Sequence, residues 1–188
     1  MADTIHSSSI LTRHRYLLLF LLGLMLYVPF LAGRDMWYPD EPDIAEVGKV
    51  MYESGDWISP RRVGVIWVDY PPMIYWTATV SAHALGGYSE FAFRLPTALA
   101  AVALVLLTCG VGSRWFNARA GLWAGFMLLT FQHYWYNAIN YRPDLQFALP
   151  LAAGMFVYAA GVGDRPRTAI YFTRVIFLVS ENFPASRR

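Results

Sequence analysis

Charge and cysteine are both scarce in this sequence. Of its 188 residues only 15% are charged, the formal net charge is +2, and there is one cysteine, Cys109. A single cysteine can form no intrachain disulfide and no thiolate metal cluster, and its apolar neighbours indicate a packing residue. The basic residues stand singly or in pairs at the ends of apolar runs, so no basic stripe is available to a nucleic-acid backbone. The sequence therefore predicts no nucleic-acid partner. It also predicts no zinc site, because His83 and His133 each lack a second His or Cys at ligand spacing.

Apolar residues, in contrast, are abundant. The chain is 56% hydrophobic and 16% aromatic, which is more apolar than an ordinary soluble domain of this size. A membrane-spanning helix needs at least about 17 largely apolar residues. Four runs meet that length, so the sequence predicts an all-α polytopic membrane protein with four transmembrane helices, at residues 16–33, 96–112, 121–139 and 145–163. Residues 1–15 are predicted to form a cytoplasmic N-terminus before a signal anchor.

A fifth apolar segment, residues 73–85, is too short to cross a membrane. At 1.5 Å per residue it reaches only about 20 Å, and it contains several aromatic residues, so it predicts an amphipathic helix lying on the membrane surface. The positive-inside rule agrees with this assignment. Three pairs of basic residues fall on one side only if residues 73–85 do not span: Arg13 and Arg15, Arg114 and Arg119, and Arg165 and Arg167.

With that topology, residues 34–94 form a long extracytoplasmic loop. The loop contains nine of the thirteen acidic residues and five basic ones. Helical spacing of apolar residues at 43–53 predicts a second amphipathic helix in the loop, with Asp40 or Asp43 as its N-cap. Two crossings separate Asp40 and Glu41 from Asp144. All three carboxylates are therefore predicted to face one compartment, where they could share a site.

The acidic residues allow two interpretations. Asp40 and Glu41 either cap the following helix and face water, or form a catalytic or cation-binding pair. Asp144 either stabilises the first turn of its helix and pairs with Arg142, or belongs to the same site. Arg142 could instead hold a phosphate group bidentately.

Two adjacent arginines in the loop, Arg61 and Arg62, form a further candidate anion site. Paired arginines in a loop are also commonly solvated or bound to lipid headgroups. The sequence alone leaves these alternatives open.

An ordered series of motifs resembles the first periplasmic loop of the family that contains protein O-mannosyltransferases and lipid A aminoarabinose transferases. The resemblance covers about residues 34–163 and is far more specific than any one motif. The series is Tyr38-Pro39-Asp40-Glu41, Ala45-Glu46, Ser54-Gly55-Asp56-Trp57-Ile58-Ser59-Pro60, Tyr70-Pro71-Pro72-Met73-Ile74-Tyr75-Trp76, Ser89-Glu90-Phe91-Ala92-Phe93-Arg94-Leu95-Pro96, Arg114-Trp115-Phe116-Asn117-Ala118-Arg119-Ala120-Gly121 and Arg142-Pro143-Asp144.

The resemblance implies a GT-C-type glycosyltransferase in a bacterial inner membrane, with its site facing the periplasm. Such an enzyme moves a sugar from a polyprenyl-phosphate donor to a lipid, glycan or protein acceptor. The residue matching Asp40 is then the catalytic carboxylate, Asp144 supports it, and Glu41 shapes the pocket. A divalent cation at these three carboxylates is a further expectation. The implied partners of the donor phosphate are Arg61, Arg62 and Arg142.

Two departures from the family pattern qualify this expectation. Relatives often carry Glu-Lys-Pro-Pro where this chain has Asp69-Tyr70-Pro71-Pro72, so a lysine that would contact the donor phosphate is missing. The tail, residues 164–188, does not resemble the next helix of the family, which predicts a truncated or frame-shifted product. The competing hypothesis is a small non-enzymatic membrane protein whose acidic loop binds cations or a partner.

Overall fold

The computed structural model describes residues 12–36 and 40–161, with the side chains of Asp40 and Gly161 excepted. The predictions made for residues 1–11, for the Tyr38-Pro39 part of the first motif and for the tail at 164–188 lie outside the described residues. So does the predicted role of the Asp40 side chain, although Asp40 itself is described as the first residue of a helix.

The described chain is mostly helical, which confirms the predicted helical class. One two-stranded antiparallel hairpin was not predicted; it pairs Arg61 with Ile66 and Arg62 with Val65. A short 3-10 helix, Val28–Phe30, continues the first helix. The elements in chain order are α1 Arg15–Tyr27, α2 Asp40–Ser54, β1 Arg61–Arg62, β2 Val65–Ile66, α3 Met73–Leu85, α4 Glu90–Trp115, α5 Ala118–Thr130, α6 Gln132–Ile139 and α7 Asp144–Gly161.

The longest helix, α4, begins earlier than predicted. It has 26 residues and starts at Glu90 rather than Pro96, because Ser89 caps it by accepting a hydrogen bond from Ala92 N at 3.2 Å. Among residues 12–36 and 40–161, it is the one helix long and apolar enough to cross a membrane. The other apolar helices, Arg15–Phe30 and Asp144–Ala160, are shorter. The predicted number of four spans is therefore not confirmed.

The prediction of one continuous helix over residues 121–139 is wrong. Phe131 has an extended backbone that separates α5 from α6. Polar aromatic groups of α6 bond to carbonyls of neighbouring helices: Tyr134 Oη donates to Ala101 O at 2.6 Å and Trp135 Nε1 donates to Leu26 O at 3.2 Å. These hydrogen bonds to other helices orient α6 independently of α5. The spacing of apolar residues in the sequence does not predict such contacts.

Two apolar clusters surround α4. The first packs α1, α5 and α6 on its middle, and includes Leu19, Tyr27, Ala101, Val105 and Leu129. The second lies where α2 and α3 cover the start of α4, and includes Ile44, Val47, Ile74, Tyr75, Phe93 and Tyr141. Since Tyr141 follows α6, the chain leaves along α4 and returns through α5 and α6 to the same end of the bundle. The candidate site residues gather at this end.

Candidate active site

The carboxylate of Glu41 is the centre of the acidic end of the bundle. Its Oε1 accepts hydrogen bonds from Arg94 Nε at 2.7 Å and from Tyr141 N at 2.8 Å, and its Oε2 accepts one from Arg94 Nη2 at 3.0 Å. Glu41 is 1% exposed and Arg94 is 0% exposed. A buried charge is tolerated only when it is paired and hydrogen-bonded. The bidentate geometry provides both conditions and ties α2 to α4 and to the loop before α7.

Arg94 has further acceptors in the chain just before α2. Its Nη1 donates to Leu31 O at 3.0 Å and to Arg34 O at 3.2 Å, and its Nη2 lies 3.4 Å from Asp35 O. A guanidinium carries five N–H donors in a fixed fork. With Glu41 as the counter-ion, all three nitrogens of Arg94 have oxygen partners, which explains how a full positive charge can be buried here.

Arg34 joins the same network to the loop that carries Asp144. Its Nη1 donates to Asn140 Oδ1 at 2.8 Å and its Nη2 donates to Ile139 O at 2.9 Å. Burial, followed by the positive charge of Arg94, lowers the pKa of Arg34. The segment 139–141 is therefore held by Arg34 on one side and by Glu41 on the other.

Asp144 lies three residues beyond that anchored segment, at the start of α7. Its side chain is 62% exposed, and its Oδ2 is 3.7 Å from Arg142 Nε. The exposed carboxylate in the first turn of a helix is favoured by the helix dipole. The structure thus places Asp144 and Arg142 beside the Glu41 anchor, in an open position that a ligand can reach.

The two adjacent arginines of the loop, Arg61 and Arg62, have different surroundings. Arg62 forms ion pairs with Asp43 and with Glu46, the latter at 3.2 Å, and its guanidinium lies 4.9 Å from the ring centre of Trp67. Arg61 is exposed on the outer face of the hairpin. Arg62 therefore fastens the hairpin to α2. The guanidinium of Arg61 takes no part in that contact.

No group of three His, Cys, Asp or Glu residues with metal-binding geometry occurs among the described residues. Since the Asp40 side chain is not among them, the predicted cation at Asp40, Glu41 and Asp144 stays a prediction. Both oxygens of Glu41 already accept hydrogen bonds from Arg94 or Tyr141.

A cleft of about 400 Å³ opens beside α2, next to the start of α4. Tyr88 is one of its lining residues and donates from Oη to Ala45 O at 3.0 Å. Burial raises the pKa of the Tyr88 hydroxyl. The lining residues are Met36, Pro42, Ala45, Glu46, Lys49, Tyr88, Ser89, Glu90 and Phe93.

The residues that organise this end, Arg94, Arg34 and Asn140, were not predicted as site residues. In the sequence, Arg94 and Arg34 read only as charges that bound apolar runs. One signal was available: Arg94 is enclosed by Phe93 and Leu95 rather than standing at the edge of its run, and an arginine in that position needs a buried partner.

Three comparisons find known proteins that are similar to this chain. The family described as dolichyl-phosphate-mannose-protein mannosyltransferase matches residues 69–179. An undecaprenyl phosphate-α-4-amino-4-deoxy-L-arabinose arabinosyl transferase from Pseudomonas paraeruginosa is 30% identical over 155 residues, which are 79% of this chain and 27% of that protein. The enzyme of the same name from Pectobacterium carotovorum is 35% identical over 109 residues, or 56% of this chain and 19% of that protein.

The crystal structure of ArnT from Cupriavidus metallidurans bound to undecaprenyl phosphate is similar with a TM-score of 0.71 and 25% identity. The match covers 88% of this chain and 30% of that one. The chain thus spans less than a third of the length of these relatives. The family match extends over more than half of this chain and includes the Arg142-Pro143-Asp144 loop. The chain therefore belongs to the dolichyl-phosphate-mannose-protein mannosyltransferase family.

Proposed function

We propose that this chain acts in the transfer of a sugar from a polyprenyl-phosphate donor to an acceptor hydroxyl or amine. The arabinosyl transferases it resembles are named for an undecaprenyl-phosphate sugar, and a similar solved structure holds undecaprenyl phosphate. The observation that carries the proposal is the Glu41 carboxylate, which joins Arg94 to Tyr141 N. This contact brings the start of α2, with Asp40, to the loop that holds Asp144.

In the proposed reaction, Asp40 acts as the general base. The acceptor oxygen or nitrogen attacks the anomeric carbon of the donor and the bond from that carbon to the phosphate oxygen breaks. The phosphate leaves with the electron pair, and Asp40 takes the acceptor's proton, with inversion at the anomeric carbon. A positioned base of this kind contributes roughly 10²- to 10⁴-fold in rate. Asp144 orients the acceptor from the opposite side, and Glu41 positions both segments.

The departing phosphate needs a positive partner. We assign this role first to Arg142, because it lies beside Asp144 and is partly exposed. Arg62 is engaged by two carboxylates on α2, so its proposed contribution is to hold the hairpin. Tyr70, which stands where relatives often carry a lysine, offers a neutral hydroxyl instead. A lipid, glycan or protein acceptor is compatible with this arrangement.

We further propose that the site faces the periplasm of a bacterial inner membrane. Support comes from the basic residues at the far end of the bundle, Arg114 on α4 and Arg119 on α5, since short cytoplasmic loops collect such residues. Arg114 lies twenty positions after Arg94, and at 1.5 Å per residue this is about 30 Å, the thickness of a bilayer core.

The test is sugar transfer by the purified 188-residue chain in lipid vesicles. The donor is undecaprenyl phosphate-4-amino-4-deoxy-L-arabinose, the acceptor is lipid A, and the product is measured by mass spectrometry. We expect transfer by the wild-type chain and a loss of about 10²-fold or more in Asp40→Asn and Asp144→Asn. Asp56→Asn, a change of a partly exposed carboxylate in the same loop, is the matched control and retains the wild-type rate.

Two results would overturn the proposal. One is the absence of both transfer and undecaprenyl phosphate binding by a wild-type chain that is folded and inserted, which would favour a membrane protein whose acidic loop binds cations or a partner. The other is an Asp40→Asn rate equal to that of Asp56→Asn. Binding of undecaprenyl phosphate, followed by tryptophan fluorescence, separates the roles: Arg142→Gln weakens binding, whereas Asp40→Asn leaves binding unchanged.

A further inference from the structure

The β hairpin presents aliphatic side chains to the outside. Ile58 is 87% exposed, Val63 is 80% exposed and Ile66 is 63% exposed, and Val65 and Val68 are exposed as well. Single exposed aliphatic residues are ordinary, but here five of them fall within eleven positions around one turn, which indicates an interaction surface. We define this group, Ile58, Val63, Val65, Ile66 and Val68, as the hairpin tip.

The hairpin tip is held rigidly in its exposed position. Arg62 pairs with Asp43 and Glu46 on α2, and Trp67 N donates to Pro60 O at 2.8 Å, which extends the hairpin beyond its two-residue strands. Its turn uses positive φ angles at Val63 (49°) and Gly64 (79°). A β-branched residue rarely adopts such an angle. Since Val63 is exposed, burial within the described chain does not compensate for this backbone strain.

One hydrogen bond links the segment before the hairpin to an apolar groove on α3 and α4. Trp76 Nε1 donates to Trp57 O at 2.7 Å, next to Ile58. The ring of Trp76 then lines an apolar groove between α3 and α4, with Val80 and Leu99. Because α4 has the length and composition of a membrane span, this groove on its first turns connects the hairpin with the helix that would enter a bilayer.

One cation accompanies the hairpin tip. Arg61 pairs with Ile66 across the hairpin, so their side chains share one face, and Arg61 is exposed. The Oδ1 atom of Asp56 accepts hydrogen bonds from Ser59 N and Ile58 N, which lower the pKa of that carboxyl. The Asp56 carboxylate is also near enough for the charge of Arg61 to lower that pKa. Arg62, in contrast, is neutralised by α2. An aliphatic tip with an adjacent arginine and flanking tryptophans is the composition of a membrane interface, where rings occupy the headgroup zone and arginine reaches phosphates.

We propose that the hairpin tip inserts into the outer leaflet of the bilayer, with Arg61 on the phosphate groups of membrane phospholipids. The insertion would hold α2, and with it Asp40, at a set height above the membrane. This proposal rests on the membrane placement proposed above. The partner is the lipid surface itself, not a single bound lipid.

The test is nitroxide accessibility in the full chain, reconstituted in vesicles of phosphatidylethanolamine and phosphatidylglycerol. Single cysteines at Val63 and Ile66 are spin-labelled in a Cys109→Ser background. Collisions with oxygen, which concentrates in lipid, are compared with collisions with a water-soluble nickel chelate. Met127→Cys on the exposed face of α5 is the lipid reference and Glu53→Cys on α2 is the water reference.

We expect both hairpin labels to collide more often with oxygen than with nickel, as Met127→Cys does. Adding Arg61→Gln shifts the labels towards the nickel-accessible range in these anionic vesicles and has a smaller effect in phosphatidylcholine vesicles. Hairpin labels that behave like Glu53→Cys, or that are shielded from both reagents as at a protein contact, overturn the proposal while Met127→Cys still reports lipid. If Met127→Cys itself reports water, the membrane placement fails as well.

Discussion

Glu41 and Arg94 are 53 residues apart in the chain and form a buried bidentate ion pair at the start of α4. The same carboxylate accepts a hydrogen bond from Tyr141 N, a hundred residues away. One side chain thus links the first helix of the acidic loop to the longest helix and to the segment before Asp144. The position of the candidate catalytic residues depends on this link.

Removing one member of the pair is expected to be costly. Arg94→Met leaves the Glu41 carboxylate buried without its counter-ion, and losses of this kind amount to roughly 3–5 kcal/mol in the free energy of unfolding. Urea-induced loss of helical circular dichroism in detergent measures it. Glu90→Gln is the control, because Glu90 is partly exposed and lies 3.6 Å from Arg94 Nη1. We expect the double variant Glu41→Leu with Arg94→Met to recover part of the loss; equal stability of Arg94→Met and Glu90→Gln would contradict the assigned role.

Close packing of α4 on α5 requires a residue without a side chain at Gly121. A Cβ atom there would lie 2.1 Å from Ser113 Oγ and 2.4 Å from Cys109 O, which is backbone. Overpacking typically costs about 1–3 kcal/mol, so Gly121→Ala is expected to lower the unfolding free energy by that amount. Gly87→Ala is the matched control, since a Cβ at Gly87 meets no atom within 4 Å. Equal unfolding midpoints for the two variants would show that α4 and α5 can move apart with no loss of unfolding free energy.

The return of the chain to one end of the bundle predicts a labelling pattern in intact cells. In a Cys109→Ser background, cysteines at His83 and Asp144 are expected to react with a membrane-impermeant thiol reagent from outside. A cysteine at Phe116, the exposed residue between α4 and α5, should react only after the cells are opened. Reaction of the His83 and Asp144 cysteines only after the cells are opened, with the Phe116 cysteine reacting from outside, would mean that α3 crosses the membrane, and the acidic segments at Asp40 and Asp144 could not then share a site.

The turn after α2 is expected to depend on pH. Asp56 Oδ1 accepts hydrogen bonds from Ile58 N and Ser59 N, both at 3.0 Å, and these bonds, that of Ser59 first, lower the pKa of Asp56. A carboxyl with a lowered pKa stabilises the folded turn above its unfolded pKa of about 3.9, and the stabilisation is lost as the pH falls through the lowered value.

Hydrogen exchange of the Ile58 and Ser59 amides, corrected for intrinsic rates, measures this loss. Protection should decrease as acid is added to the wild-type chain. Asp56→Asn keeps an acceptor that does not titrate, so its protection should be constant over the same range. A decrease of the same size in Asp56→Asn would assign the effect to general unfolding.

Local patterns in the sequence determined much of this protein. Residues 73–85 were predicted as a helix and form α3 within the same bounds, because Pro72 precedes the apolar run and Gly86 ends it with a positive φ of 78°. The motif series indicated the family, which the match over residues 69–179 confirms. The acidic loop and its candidate residues, Asp40, Glu41 and Asp144, were identified in the same way, and their catalytic roles remain predictions.

The tertiary structure decided the rest. The break at Phe131 arises from hydrogen bonds that α6 makes to other helices, and the hairpin at Arg61–Ile66 is fastened by Arg62 to carboxylates on α2. The partnership of Glu41 with Arg94 and Tyr141 joins three distant segments. Hydrophobic periodicity and capping report interactions between residues a few positions apart, whereas a buried charge finds its partner only after packing has brought the segments together.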